Sequence, residues 1–77
     1  MYFKNIKELR LKNNLKQIEI AKILHISQNT YSDYEKGKIT ISIDKLIMLS
    51  DYYNVSIDYI VGKNKEEEKW NFMLFMN

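Results

Sequence analysis

The chain has 77 residues, with 12 Lys/Arg against 10 Asp/Glu for a formal charge of +2, and no cysteine. This length predicts one domain with a modest core. Disulfides and thiolate metal sites are excluded, His25 stands alone without a second ligand at metal spacing, and no apolar run approaches the roughly 18 residues of a membrane-crossing helix. The start, MYFKNIKEL, lacks an apolar leader segment, so the expectation is a cytoplasmic protein that meets no membrane.

Five helices and no strand are predicted, in chain order. The first covers residues 3–13, with Phe3, Ile6 and Leu9 on its inner face and Asn13-Asn14 ending it. The second covers residues 17–24; Ile20, Ala21 and Leu24 share a face, and Ile26 follows in the turn. The third covers residues 28–36. Ser27 is its predicted N-cap, Tyr31 and Tyr34 are its buried face, and Gly37 takes the left-handed position after its last turn. An irregular link over residues 38–41 leads to Ser42, the predicted cap of a fourth helix over residues 43–53. The inner face of that helix is Leu46, Leu49, Ser50 and Tyr53. Asn54 ends it in a left-handed conformation, and Val55 plugs the core. Ser56 caps a short fifth helix over residues 57–61, closed by Gly62. The predicted class is therefore all-α, a compact five-helix domain over residues 1–63 followed by an apolar tail over residues 64–77.

Charge is unevenly spread. Residues 1–40 hold eight Lys/Arg against four acids, and residues 41–77 hold four against six. The positive part coincides with residues 17–37, QIEIAKILHISQNTYSDYEKG, which read as two short helices joined by a tight turn. Gln28, Asn29, Ser32 and Asp33 lie at i, i+1, i+4 and i+5 on the third helix, away from Tyr31 and Tyr34. A carboxamide offers donor and acceptor side by side, which matches the N6/N7 edge of adenine in the major groove. An excess of Lys nearby suits attraction to phosphate. A solvated polar face would explain the same pattern more blandly.

These residues resemble a known family, the Xre-type helix-turn-helix domains of phage repressors and Cro proteins. The resemblance runs from about Ile6 to Val61. It rests on Gln17, Ala21, Ile26-Ser27-Gln28, Tyr34-Glu35-Lys36-Gly37 and Val55-Ser56-Ile57-Asp58, all in register. Two positions depart from it. Lys16 stands where Ser or Thr is usual, so slight fraying of the second helix is expected. His25 stands where Gly is usual, at a cost of roughly 1 kcal/mol if its backbone is left-handed.

The resemblance implies a regulator of transcription that binds double-stranded DNA as a homodimer on a palindromic operator. Gln28, Asn29, Ser32 and Asp33 are the expected base contacts, and Gln17, Thr30, Lys36 and Lys38 the expected phosphate contacts. It further implies that Gln17 braces Gln28, and that Arg10 pairs with Glu35 to fix the motif against the first helix. Met48, Tyr52, Ile57 and Tyr59 fall outside the inner faces. Ile57 and Tyr59, with Trp70, Phe72, Leu74 and Phe75 of the tail, are the expected dimer interface. No catalytic constellation, cofactor or metal is expected. The alternative is a protein-interaction module, such as an antitoxin whose tail binds a partner or regulatory protein.

Overall fold

The computed structural model describes residues 1–63, which form α1 (Lys4–Lys12), α2 (Gln17–Ile23), α3 (Gln28–Lys36), α4 (Ile43–Tyr53) and α5 (Ile57–Ile60). The predicted tail, with Trp70, Phe72, Leu74 and Phe75, lies outside the described residues. Among those residues there is no strand, and no helix is long and apolar enough to cross a membrane.

The core is built from the predicted faces. Ile6 and Leu9 of α1, Ile20, Ala21 and Leu24 around α2, Tyr31 and Tyr34 of α3, and Leu46, Leu49 and Tyr53 of α4 are buried together with Val55 and Ile60. Each helix contributes residues spaced about 3.6 apart, so one stripe of each is turned inward. Ala21 carries only a methyl group, and it is wholly buried on the stripe that α2 turns inward. Ile41 is also buried and pins the irregular link between α3 and α4 to the core.

All five helices end in the same way. Asn14, His25, Gly37, Asn54 and Gly62 have positive φ, and the residue after each donates its N–H five residues back. These bonds are Leu15 to Arg10, Ile26 to Ala21, Lys38 to Asp33, Val55 to Ser50 and Lys63 to Asp58. This closure satisfies carbonyls that would otherwise lack partners at a helix end. It also turns the chain sharply enough for the next helix to start within a few residues. Leu15, Ile26 and Val55, the residues just past three of these turns, pack into or against the core.

Helix starts differ more. Ser27 Oγ accepts the N–H of Thr30 at 3.1 Å, and Ser56 Oγ accepts that of Tyr59 at 2.9 Å. Lys16 has no acceptor to offer, but Glu19 Oε1 reaches back to accept the Lys16 N–H at 2.8 Å. The expected fraying of α2 is therefore countered by a half capping box, made from the glutamate side. Ser42 corrects another expectation. It occupies the N-cap position of α4, yet its side chain bonds no helix amide. Its hydroxyl is turned to Asp44 instead and helps hold that carboxyl below its usual range.

The amino terminus and the first turn of α1 tie distant parts together. The amino group of Met1 donates to Thr40 Oγ1 at 2.9 Å, and Asn5 Nδ2 donates to the Tyr59 carbonyl at 2.7 Å. The backbone of Tyr2 lies against Gly37, where an added Cβ would meet Tyr2 Cβ at 2.9 Å and Tyr2 Cα at 3.1 Å. Gly62 has nothing within 4 Å of the equivalent point. A pair of substitutions separates the two demands on glycine. Gly62→Ala is expected to cost about 1 kcal/mol from left-handed strain alone. Gly37→Ala should cost clearly more, because the methyl group also displaces Tyr2. Urea unfolding of both variants checks this; equal losses would show that Tyr2 yields freely.

Candidate nucleic-acid interface

Helix α3 has two unlike sides. Tyr31, Tyr34 and Glu35 are buried, while Gln28 and Asn29 in its first turn are exposed and Ser32 and Asp33 one turn later are half-buried. The four polar residues expected to meet bases therefore occupy one outward side of one helix, and the Ser27 cap holds their backbone at the helix start. Thr30 is half-buried, and its Oγ1 accepts from the Ser27 hydroxyl at 2.9 Å. The Thr30 hydroxyl hydrogen is then directed to another acceptor. Lys36 and Lys38 are exposed on either side of Gly37.

What fixes this helix is a buried ionic cluster. Arg10 Nε donates to Glu35 Oε2 at 2.6 Å and Arg10 Nη2 to Glu35 Oε1 at 3.1 Å, with the two side chains only 10% and 4% exposed. Arg10 Nη1 also donates to the Leu15 carbonyl at 2.9 Å. Burial alone would raise the Glu35 pKa, but the hydrogen-bonded Arg10 guanidinium, with the Tyr31 phenol alongside and the Gln17 amide, outweighs it and holds the carboxyl below its ordinary value. The same bond to Glu35 raises the pKa of Arg10. Burial, followed by the neighbouring Glu35, pushes the Tyr31 phenol well up.

Gln17 differs from expectation. Its Nε2 donates to Glu35 Oε1 at 3.0 Å rather than bracing Gln28. A buried carboxylate is a stronger acceptor than a neutral amide and has lone pairs to satisfy. Gln17 is thereby half-buried at the start of α2, joined to the cluster that holds α3. Two residues near this surface escaped the sequence reading: Thr40 and Tyr2. The one signal available was Gly37 itself, since a glycine admits close backbone approach as well as positive φ.

The expected interface residues are divided. Ile57, Tyr59 and Met48 are half-buried and pack against the core, whereas Tyr52 is exposed. Among the described residues no group of His, Asp and Glu is arranged to hold a metal ion.

Comparison with known proteins adds to this geometry. A family model described as helix-turn-helix matches residues 6–60. The antitoxin PezA of Streptococcus pneumoniae is 42% identical over 65 residues, covering 84% of this chain and 41% of that protein. The transcriptional regulator ImmR of Bacillus subtilis is 41% identical over 66 residues, covering 86% of this chain and 52% of that protein. The chain thus spans about half the length of the curated relatives it matches. The crystal structure of a transcriptional regulator from Listeria innocua superposes with a TM-score of 0.77 at 29% identity, covering 100% of this chain and 78% of that one.

The ionic cluster has a pH signature. A depressed Glu35 pKa means that the unfolded chain takes up the proton first as pH falls. The stabilisation is complete above the ordinary carboxyl value of 4.5 and is lost as pH falls through it and on through the lower folded value. Glu35→Gln, which strands a buried Arg10 charge, should cost about 3 kcal/mol at neutral pH. It should also flatten the acid side of the stability profile. Urea titrations at several pH values measure both, and an unchanged acid limb would mean that other carboxyls dominate it.

Proposed function

Since this chain belongs to the Xre-type helix-turn-helix family, we propose that it is a transcriptional regulator that binds double-stranded DNA. In this reading α3 lies in the major groove, with Gln28, Asn29, Ser32 and Asp33 facing base edges. The observation that carries the reading is the division of α3. Its polar residues stand outward in one patch, while Tyr31, Tyr34 and Glu35 anchor the other side in the core. Gln28 and Asn29 suit adenine edges. Asp33 can accept from cytosine N4, and it repels phosphate when the register is wrong.

Phosphate contacts are assigned to Gln17, Thr30, Lys36 and Lys38. Gln17 spends one amide hydrogen on Glu35 and retains a second donor. Its contact would link the DNA backbone to the cluster that holds α3. Lys36 and Lys38 supply charge at the far end of the same helix.

The finer reading is a repressor that acts as a homodimer on a palindrome, an arrangement common to this kind of motif. Two copies of α3 related by a two-fold axis would meet half-sites about one helical turn, ~34 Å, apart. Ile57 and Tyr59 are the proposed contacts between copies, with Trp70, Phe72, Leu74 and Phe75 as further candidates beyond the described residues. Selection of sites from random duplex DNA tests the whole proposal. Enrichment of an inverted repeat supports it, and no enrichment at any salt concentration would sink it.

A second reading has one specific support, the likeness to a protein named as an antitoxin. There the domain would still grip DNA while a partner protein binds elsewhere on the chain. Site selection enriches a palindrome in either case, so a partner is sought separately by affinity capture from the source cells.

Two sets of variants probe the assignment. Gln28→Ala and Asn29→Ala should each lose about 1–3 kcal/mol on the selected site and little on random DNA. Lys36→Ala or Lys38→Ala should weaken binding on every sequence and lower the salt slope by about one unit. Fluorescence anisotropy across a salt series reads all four. Equal losses on both DNAs for the first pair would make those residues backbone contacts.

A further inference from the structure

The segment ahead of α1 crosses the C-terminal end of α3. Tyr2 has its Cα and Cβ pressed against Gly37, the residue between Lys36 and Lys38, and the Met1 amino group bonds Thr40 just beyond. Yet Tyr2 remains 58% exposed. More than half of the residue is thus open to solvent although its base is held against Gly37. Gly37 is thus glycine for two reasons, its φ of +75° and the seat it gives this arm.

The seat of this arm is flanked by positive charge. Lys36 and Lys38 flank Gly37 and Lys4 follows Tyr2 by two residues, all three exposed, while Glu35 is turned inward and neutralised by Arg10. Asp33 is half-buried a turn back along α3. A neutral O–H donor among cations fits an anionic acceptor. We propose that Tyr2 is an additional DNA contact, donating its hydroxyl to a backbone phosphate beside those met by Lys36 and Lys38. This inference rests on the DNA-binding reading above.

Position decides between backbone and base. Gln28 and Asn29 open α3, and Gly37 lies eight residues further on, about 12 Å along the helix axis. An arm seated there stands away from the base-reading turn and over the flank of the groove. Tyrosine hydroxyls are ordinary partners of phosphate oxygens, and such contacts set register without carrying sequence information. The arm therefore also holds the turn from which Lys38 projects, through the Met1–Thr40 bond.

Tyr2→Phe is the test, because it removes the hydroxyl and keeps the ring. Affinity should fall about fivefold to tenfold, equally on the selected site and on random duplex. The salt slope should stay as in the unchanged protein, since tyrosine carries no charge and releases no counterion. The melting temperature should also be unchanged. Wild-type affinity on both DNAs would overturn the proposal, as would a loss confined to the selected site, which would put the hydroxyl at a base edge. A loss that follows a lowered melting temperature would overturn it too, leaving the arm a purely structural role. If the unsubstituted protein binds no duplex at all, it is the DNA-binding reading that fails.

Discussion

The arrangement of this domain depends on one buried carboxylate. Glu35 sits at the end of α3, and its oxygens are met by Arg10 from α1 and Gln17 from α2, with the Tyr31 phenol alongside. Three helices converge on one group, so none of them shifts without breaking a charge-assisted bond. In net energy such a pair is worth little more than apolar side chains of the same volume. Its geometry is what matters. A forked guanidinium and a carboxylate meet in one plane, so the pair defines the angle between helices more sharply than aliphatic packing does. The exposed side of α3 inherits that definition.

Short helices need firm ends, and here the backbone supplies them. Each of the five closes on a left-handed residue with a bond back over five positions. Side-chain chemistry enters only in who can adopt that conformation: two glycines, two asparagines and one histidine. Asparagine tolerates it better than most residues, and histidine at a modest cost. The turns are tight, and the core is assembled from faces that lie close in sequence. Domains rich in such local contacts fold quickly.

Helix positions and the core were legible in the sequence, because apolar periodicity and turn residues are local signals. The predicted span of α3 matches the observed one, and Ser27, Gly37, Asn54 and Ser56 take their expected places. The pairing of Arg10 with Glu35 came from resemblance, since no local signal joins residues 25 positions apart. The same limit hid the partner of Gln17, which competes among several polar groups that only the fold brings together. It also hid the buried Asn5 and its bond to the Tyr59 carbonyl. Ser42 illustrates the reverse case. Its position was readable, but its hydroxyl is turned to the exposed Asp44 two residues on and accepts no helix amide. As for the candidate interface, the outward side of α3 was legible from spacing alone, and the arm over Gly37 was not, because it packs across the domain through backbone atoms.

The two sides of α3 answer to separate selective pressures. Tyr31, Tyr34 and Glu35 hold the helix, and changing any of them disturbs the core. Gln28 and Asn29 are exposed and lie outside the core. Surface positions of this kind usually tolerate substitution with little change in stability. Under the proposed base contacts, recognition and foldability are inherited almost independently in this domain. On that proposal a lineage carrying the domain would drift to new target sequences by single substitutions without first acquiring stabilising mutations elsewhere, and duplicated copies would diverge in what they read while their scaffold stays the same.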